Sequence, residues 1–73
     1  MRTSTIRIAV QQLPRAGFDE HRPYEACDPI ASELDDKAAV KARVNADSMT
    51  LTVEVNTDQL LDAATTLREL GLI

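Results

Sequence analysis

Two runs of strict alternation dominate the chain. In residues 38–44, Ala38, Val40, Ala42 and Val44 alternate with Ala39, Lys41 and Arg43. In residues 49–55, Met49, Leu51, Val53 and Val55 alternate with Thr50, Thr52 and Glu54. A period of two places every second side chain on one face of a sheet, so both runs read as half-buried strands. Asn45, Ala46, Asp47 and Ser48 between them supply turn chemistry. Pairing Val44 with Met49 then sets Ala42 against Leu51, Val40 against Val53 and Ala38 against Val55, with all eight on one face. A one-residue slip would send one apolar set into water, so the alternation excludes odd shifts of register.

The same reasoning supplies a third strand over residues 4–10, where Ile6, Ile8 and Val10 share a face and Thr5 and Arg7 share the other. Pro14 marks the end of that segment, since proline cannot donate to a ladder. After the hairpin, Leu60, Ala63, Ala64, Leu67 and Leu70 recur at helical spacing, with Leu61 on the shoulder of the stripe. Asn56 or Thr57 is the expected N-cap, with Gln59 completing a capping-box variant, and Gly71 is the expected C′ residue. Asp28 followed by Pro29 reads as the start of a short helix to about residue 36, anchored by Ile30 and Leu34. The expected fold class is therefore α+β: a small, mainly antiparallel three-stranded sheet (strand, long loop with a short helix, β-hairpin) packed by a C-terminal amphipathic helix.

A chain of 73 residues makes one domain, residues 1–73, and its core is small. Cys27 is the sole cysteine, which rules out an internal disulfide. With Phe18 and Tyr24 as the only aromatic residues, the core must be aliphatic. No stretch is long and apolar enough to suggest a membrane span, and the opening residues lack the apolar run of a signal peptide. These features, with a free thiol, lead us to expect a cytoplasmic protein.

The net charge of −4 is unevenly spread. Residues 1–18 carry Arg2, Arg7 and Arg15 and no acid. Residues 19–36 carry Asp19, Glu20, Glu25, Asp28, Glu33, Asp35 and Asp36 against Arg22 alone. Overlapping this region, residues 13–28 form a long acidic loop without periodicity, punctuated by Pro14, Gly17 and Pro23. Long irregular segments in small domains commonly carry function. The structural alternative is that Phe18 and Tyr24 only pin this one to the core.

Catalytic and metal chemistry find little purchase. Cys27 and His21 are the one candidate nucleophile–base pair, with Asp19, Glu20 or Asp28 available to orient the histidine, but no oxyanion turn accompanies them. One His and one Cys fall short of a structural zinc set, and the carboxylates lack EF-hand spacing. No phosphate loop or dinucleotide fingerprint is present, so neither cofactor nor metal is expected. Nucleic-acid contact would rest on Arg2, Arg7 and Arg15 with Lys41 and Arg43, and no aromatic accompanies them for base stacking.

Two segments invite comparison with known families. Residues 6–14, Ile6-Arg7-Ile8-Ala9-Val10-Gln11-Gln12-Leu13-Pro14, resemble the opening strand of trimeric dUTP pyrophosphatases. The catalytic motifs of that family have no counterpart further along, so no residue role is carried over. Residues 38–70, a hairpin leading directly into an amphipathic helix, resemble the small dimerising subunit of the KEOPS tRNA-modification complex. That likeness implies a homodimeric accessory subunit.

From the residues themselves, the expected function is non-enzymatic: an adaptor, subunit or inhibitor that docks a larger, basic protein through its acidic loop. The contact residues are Asp19, Glu20, Tyr24, Glu25 and Asp28, with Asp35 and Asp36 beside them. A homodimer through a free sheet edge is the second mode of association that the pattern allows, and a small thiol-dependent enzyme is the third functional reading.

Overall fold

The computed structural model describes residues 2–73. Its elements run β1 (Thr3–Ala9), a 3-10 segment (Val10–Ala16), a second 3-10 turn (Pro23–Ala26), α1 (Cys27–Ala38), β2 (Arg43–Ala46), β3 (Thr50–Asn56), a third 3-10 turn (Thr57–Gln59) and α2 (Leu60–Glu69). The sheet is antiparallel throughout, in the order β1-β3-β2. Both α-helices cover one face: α1 packs on β2 and α2, and α2 packs on β3. The expected α+β architecture is therefore present.

β3 is the best-buried strand because it has a partner on each side. Leu51, Val53 and Val55 point into the core, where Ile8, Ile30, Leu34, Val40, Ala63, Leu67 and Leu72 meet them. Every buried hydrophobic residue is aliphatic, as the composition requires. Phe18 packs against this core from the rim, while Tyr24 is 66% exposed, so only one of the two aromatics pins its segment.

The hairpin differs from the expected pairing by four residues. Val44 pairs with Val53 and Ala46 with Leu51, rather than Val44 with Met49. Asp47 explains the shift: its Oδ1 accepts the amide hydrogens of Met49 (2.8 Å) and Thr50 (2.7 Å), and its own N–H donates to the Thr50 carbonyl (2.9 Å). That turn spends Met49 as a loop residue and leaves it 71% exposed. Because the displacement is even, each apolar side chain keeps its face.

Residues 38–42 are not strand. α1 continues through Ala38, and Ala39 then adopts a left-handed conformation (φ 53°) that reverses the chain. Alanine and lysine are good helix formers, and Ala38 and Ala39 satisfy a helical pattern as readily as an alternating one. Val40 is fully buried without belonging to a strand.

The helix start also moves. α1 begins at Cys27, two residues before Pro29, and Pro23 opens the 3-10 turn that leads into it. Asp28 therefore lies inside α1 rather than capping it. Pro29 falls in the first turn of α1, whose N–H groups have no intrahelical partner in any case. In place of an irregular stretch, residues 13–28 hold the end of one 3-10 segment, all of a second and the start of α1.

At the C-terminal helix, Asn56 occupies the N-cap position of the 3-10 turn without a side-chain hydrogen bond. Gln59 does not reach back to it; its Nε2 donates to the Ala39 carbonyl at 3.4 Å, tying α2 to the end of α1. The helix ends in a Schellman motif around Gly71 (φ 86°), with Leu72 N–H donating to Leu67 O at 2.9 Å and Gly71 N–H to Arg68 O at 3.0 Å. Leu72 is buried as the apolar residue of that motif. Thr66 is buried on the stripe, whereas Leu61 is 76% exposed. No helix among the described residues is long and apolar enough to cross a membrane.

Candidate docking surface

α1 turns a buried face, Ile30 and Leu34, to the sheet. Asp28, Ser32, Asp35 and Asp36 stand at spacings of four, seven and eight, which a period of 3.6 gathers on the opposite face. All four are exposed. The stripe spans about 12 Å along the helix axis. None of the three aspartates is in an ion pair among the described residues.

The pairs that do form lie beside this stripe. Lys37 Nζ meets Glu33 Oε2 at 3.3 Å, and that oxygen has no hydrogen bond besides the ion pair. Arg22 reaches Glu25 at 3.5 Å, which compensates part of the Glu25 charge. Lys41 shares a shallow groove with Ser32 and Asp35 without closing an ion pair, so the acidic face has one cation at its border.

The other expected contact residues are dispersed. Asp19 is exposed, and its carboxylate accepts the His21 N–H at 2.8 Å, which closes a local turn. Glu20 is half-buried. Tyr24 lies on the 3-10 turn ahead of α1 and lines a groove with His21 and the β2–β3 turn. The fold thus gathers Asp28, Asp35 and Asp36 on one face, keeps Glu25 and Tyr24 one turn further back, and leaves Asp19 and Glu20 on the preceding loop. Asp47, whose Oδ1 holds the β2–β3 turn, lines the same groove as Tyr24.

Cys27 sits half-buried at the start of α1, where its thiol faces the Pro23 carbonyl at 3.9 Å. Burial first, and the neighbouring Asp28 charge second, raise its pKa above the ordinary thiol value. Near neutral pH it is therefore held as the thiol, whereas the nucleophile is the thiolate. His21 makes no hydrogen bond to it. Among the described residues no three His, Cys, Asp or Glu side chains are grouped to hold a metal ion.

On the uncovered face of the sheet, Thr5, Arg7, Arg43, Asn45, Thr52 and Glu54 point outward. Arg7 does not stand beside Lys41 and Arg43, because β3 lies between β1 and β2. Glu54 stands directly between Thr5 and Arg43, Thr52 stands beside Arg7, and Lys41 lies outside the strands. The basic groups are thus interleaved with threonine and an acid instead of forming a continuous phosphate-binding track. The chain matches no family model, no curated protein and no solved structure.

Proposed function

We propose that this chain is a small protein-binding domain that docks a larger, basic partner through the exposed acidic face of α1. The observation that carries the reading is the row of Asp28, Asp35 and Asp36, exposed on one helical face and unpaired with any cation of the described chain. Carboxylates placed this way steer a basic surface toward them and add to the rate of encounter more than to raw affinity. Glu25 and Tyr24, one turn back, extend the contact.

The test is a pull-down from native extract with the tagged chain and with D28N/D35N/D36N, at about 0.05 M and about 0.5 M salt, the latter shortening the Debye length to a few ångströms. A stoichiometric partner lost from the triple variant, and released by salt, is the expected result. A partner held equally by both proteins at both salt concentrations would overturn the reading.

A second reading, the homodimeric accessory subunit, is favoured by β1. Val10 N–H donates to Met49 O, and Thr57 N–H donates to Arg2 O, so the even-numbered residues of β1 face β3. The backbone groups of Thr3, Thr5, Arg7 and Ala9 consequently face the free edge. That edge has no proline and no bulge, two of the usual protections against strand addition. The order strand, helix, hairpin, helix, with α1 extending over Cys27–Ala38, is also that of the KEOPS-like arrangement.

A further inference from the structure

Between the 3-10 turn Pro23–Ala26 and the β2–β3 turn lies a groove of about 370 Å³, lined by His21, Pro23, Tyr24, Ala46, Asp47 and Ser48. Two of its walls have unused binding capacity. Tyr24 presents an aromatic ring to solvent in a chain whose other aromatic residue is packed on the core. Asp47 commits Oδ1 to the Met49 and Thr50 amides, while its Oδ2 has no partner among the described residues. An aromatic face beside a fixed carboxylate is a combination that selects a cation.

We propose that this groove receives one arginine side chain of the docking partner, its guanidinium stacked on the Tyr24 ring and hydrogen-bonded to the Asp47 carboxylate. The inference rests on the basic partner proposed above and specifies what that partner inserts. Guanidinium fits better than ammonium because it is planar, weakly hydrated and able to stack while its edge bonds a carboxylate. An anionic ligand is disfavoured by the Asp47 carboxylate in the groove wall. The Pro23 ring and Ala46 supply apolar floor for the arginine stem.

The experiment is an amide NMR titration of the full chain with acetyl-Gly-Arg-Gly-amide and its lysine counterpart. The arginine peptide is expected to bind with a Kd on the order of millimolar and to shift the amides of Tyr24, Ala46, Asp47 and Ser48. Tyr24→Ala should weaken it about fivefold, a cation–π loss at an open site. Asp47→Asn should weaken it comparably while keeping the turn, because an asparagine Oδ1 still accepts from Met49 and Thr50. D28N/D35N/D36N should leave the titration unchanged. Absent shifts, shifts confined to α1, or equal binding of the lysine peptide would each overturn the groove assignment. If the groove titrates as expected but the triple variant keeps its partner in the pull-down, the α1 docking reading fails alone.

Discussion

Ala39 is the one non-glycine residue with positive φ in the described chain, at 53°. A left-handed residue with a Cβ costs about 1–2 kcal/mol. The conformation persists because it lets Val40 turn directly into the core, where Val40 N–H also donates to Leu34 O at 3.1 Å. Burying such a side chain contributes about 1.5–3 kcal/mol, enough to offset the strain. Ala39→Gly should therefore raise stability by about 1 kcal/mol, after the entropy cost of glycine. In a domain of this size that is a rise in Tm of about 4–8 °C by thermal melting. An unchanged or lower Tm would show that the backbone at Ala39 is unstrained. Cys27 supplies a second residue-scale expectation. Its raised pKa means the unfolded thiol loses its proton at lower pH than the folded one, so alkaline pH favours unfolding while neutral pH does not. Iodoacetamide should accordingly alkylate the folded chain at pH 8 more slowly than the chain in urea, and the difference should shrink as pH climbs. Equal rates at pH 8 would refute the shielding.

At the scale of elements, burial decides which leucines matter. Leu34 is fully buried on α1, and Leu34→Ala should cost about 2–5 kcal/mol in denaturant unfolding. Leu61, on the shoulder of the expected α2 stripe, is exposed, and Leu61→Ala should stay within about 0.5 kcal/mol. A comparable loss from both would contradict the orientation of α2. Strand identity and face were legible in the sequence because alternation depends only on side chains two residues apart. Register was less legible, since an even shift preserves every face; the choice lay with Asp47 and its two amide donors. The boundary between α1 and β2 was hidden because alanine fits both periodicities. For the candidate site, the acidic composition of residues 19–36 was visible, but its division was not. Only the helical phase of α1 shows that Asp28, Asp35 and Asp36 share a face while Asp19 is engaged in its own turn. Tyr24 was visible as an aromatic in an acidic segment, yet its placement in one groove with Asp47 depends on how the hairpin packs against the 3-10 turn.

At the scale of the whole molecule, the acidic helix and the free strand edge occupy different places, so the two modes of association are compatible. Antiparallel pairing of β1 with its own copy about a two-fold at Ile6 overlaps Thr3–Ala9 completely and sets Ile6 against Ile6 on the core side, where each is half-buried in the single chain. On the outer face it places Arg7 opposite the partner's Thr5, with the partner's Glu54 one strand beyond. A two-fold perpendicular to the sheet keeps both helical layers on one side, and α1 packs on β2, the edge remote from β1. Two acidic faces would then be presented together toward one partner surface. Thr5→Pro tests this arrangement, because the Thr5 N–H faces the free edge and proline there removes no bond within the chain. Sedimentation should show a dimer for the parent and a monomer with an unchanged circular dichroism spectrum for Thr5→Pro. The variant should keep the single-site affinity for the captured partner in solution, yet leave a surface densely coated with that partner about a hundredfold faster, since the second contact is no longer intramolecular. A parent chain that sediments as a monomer at all accessible concentrations would remove the edge-paired dimer and leave the acidic helix to act singly.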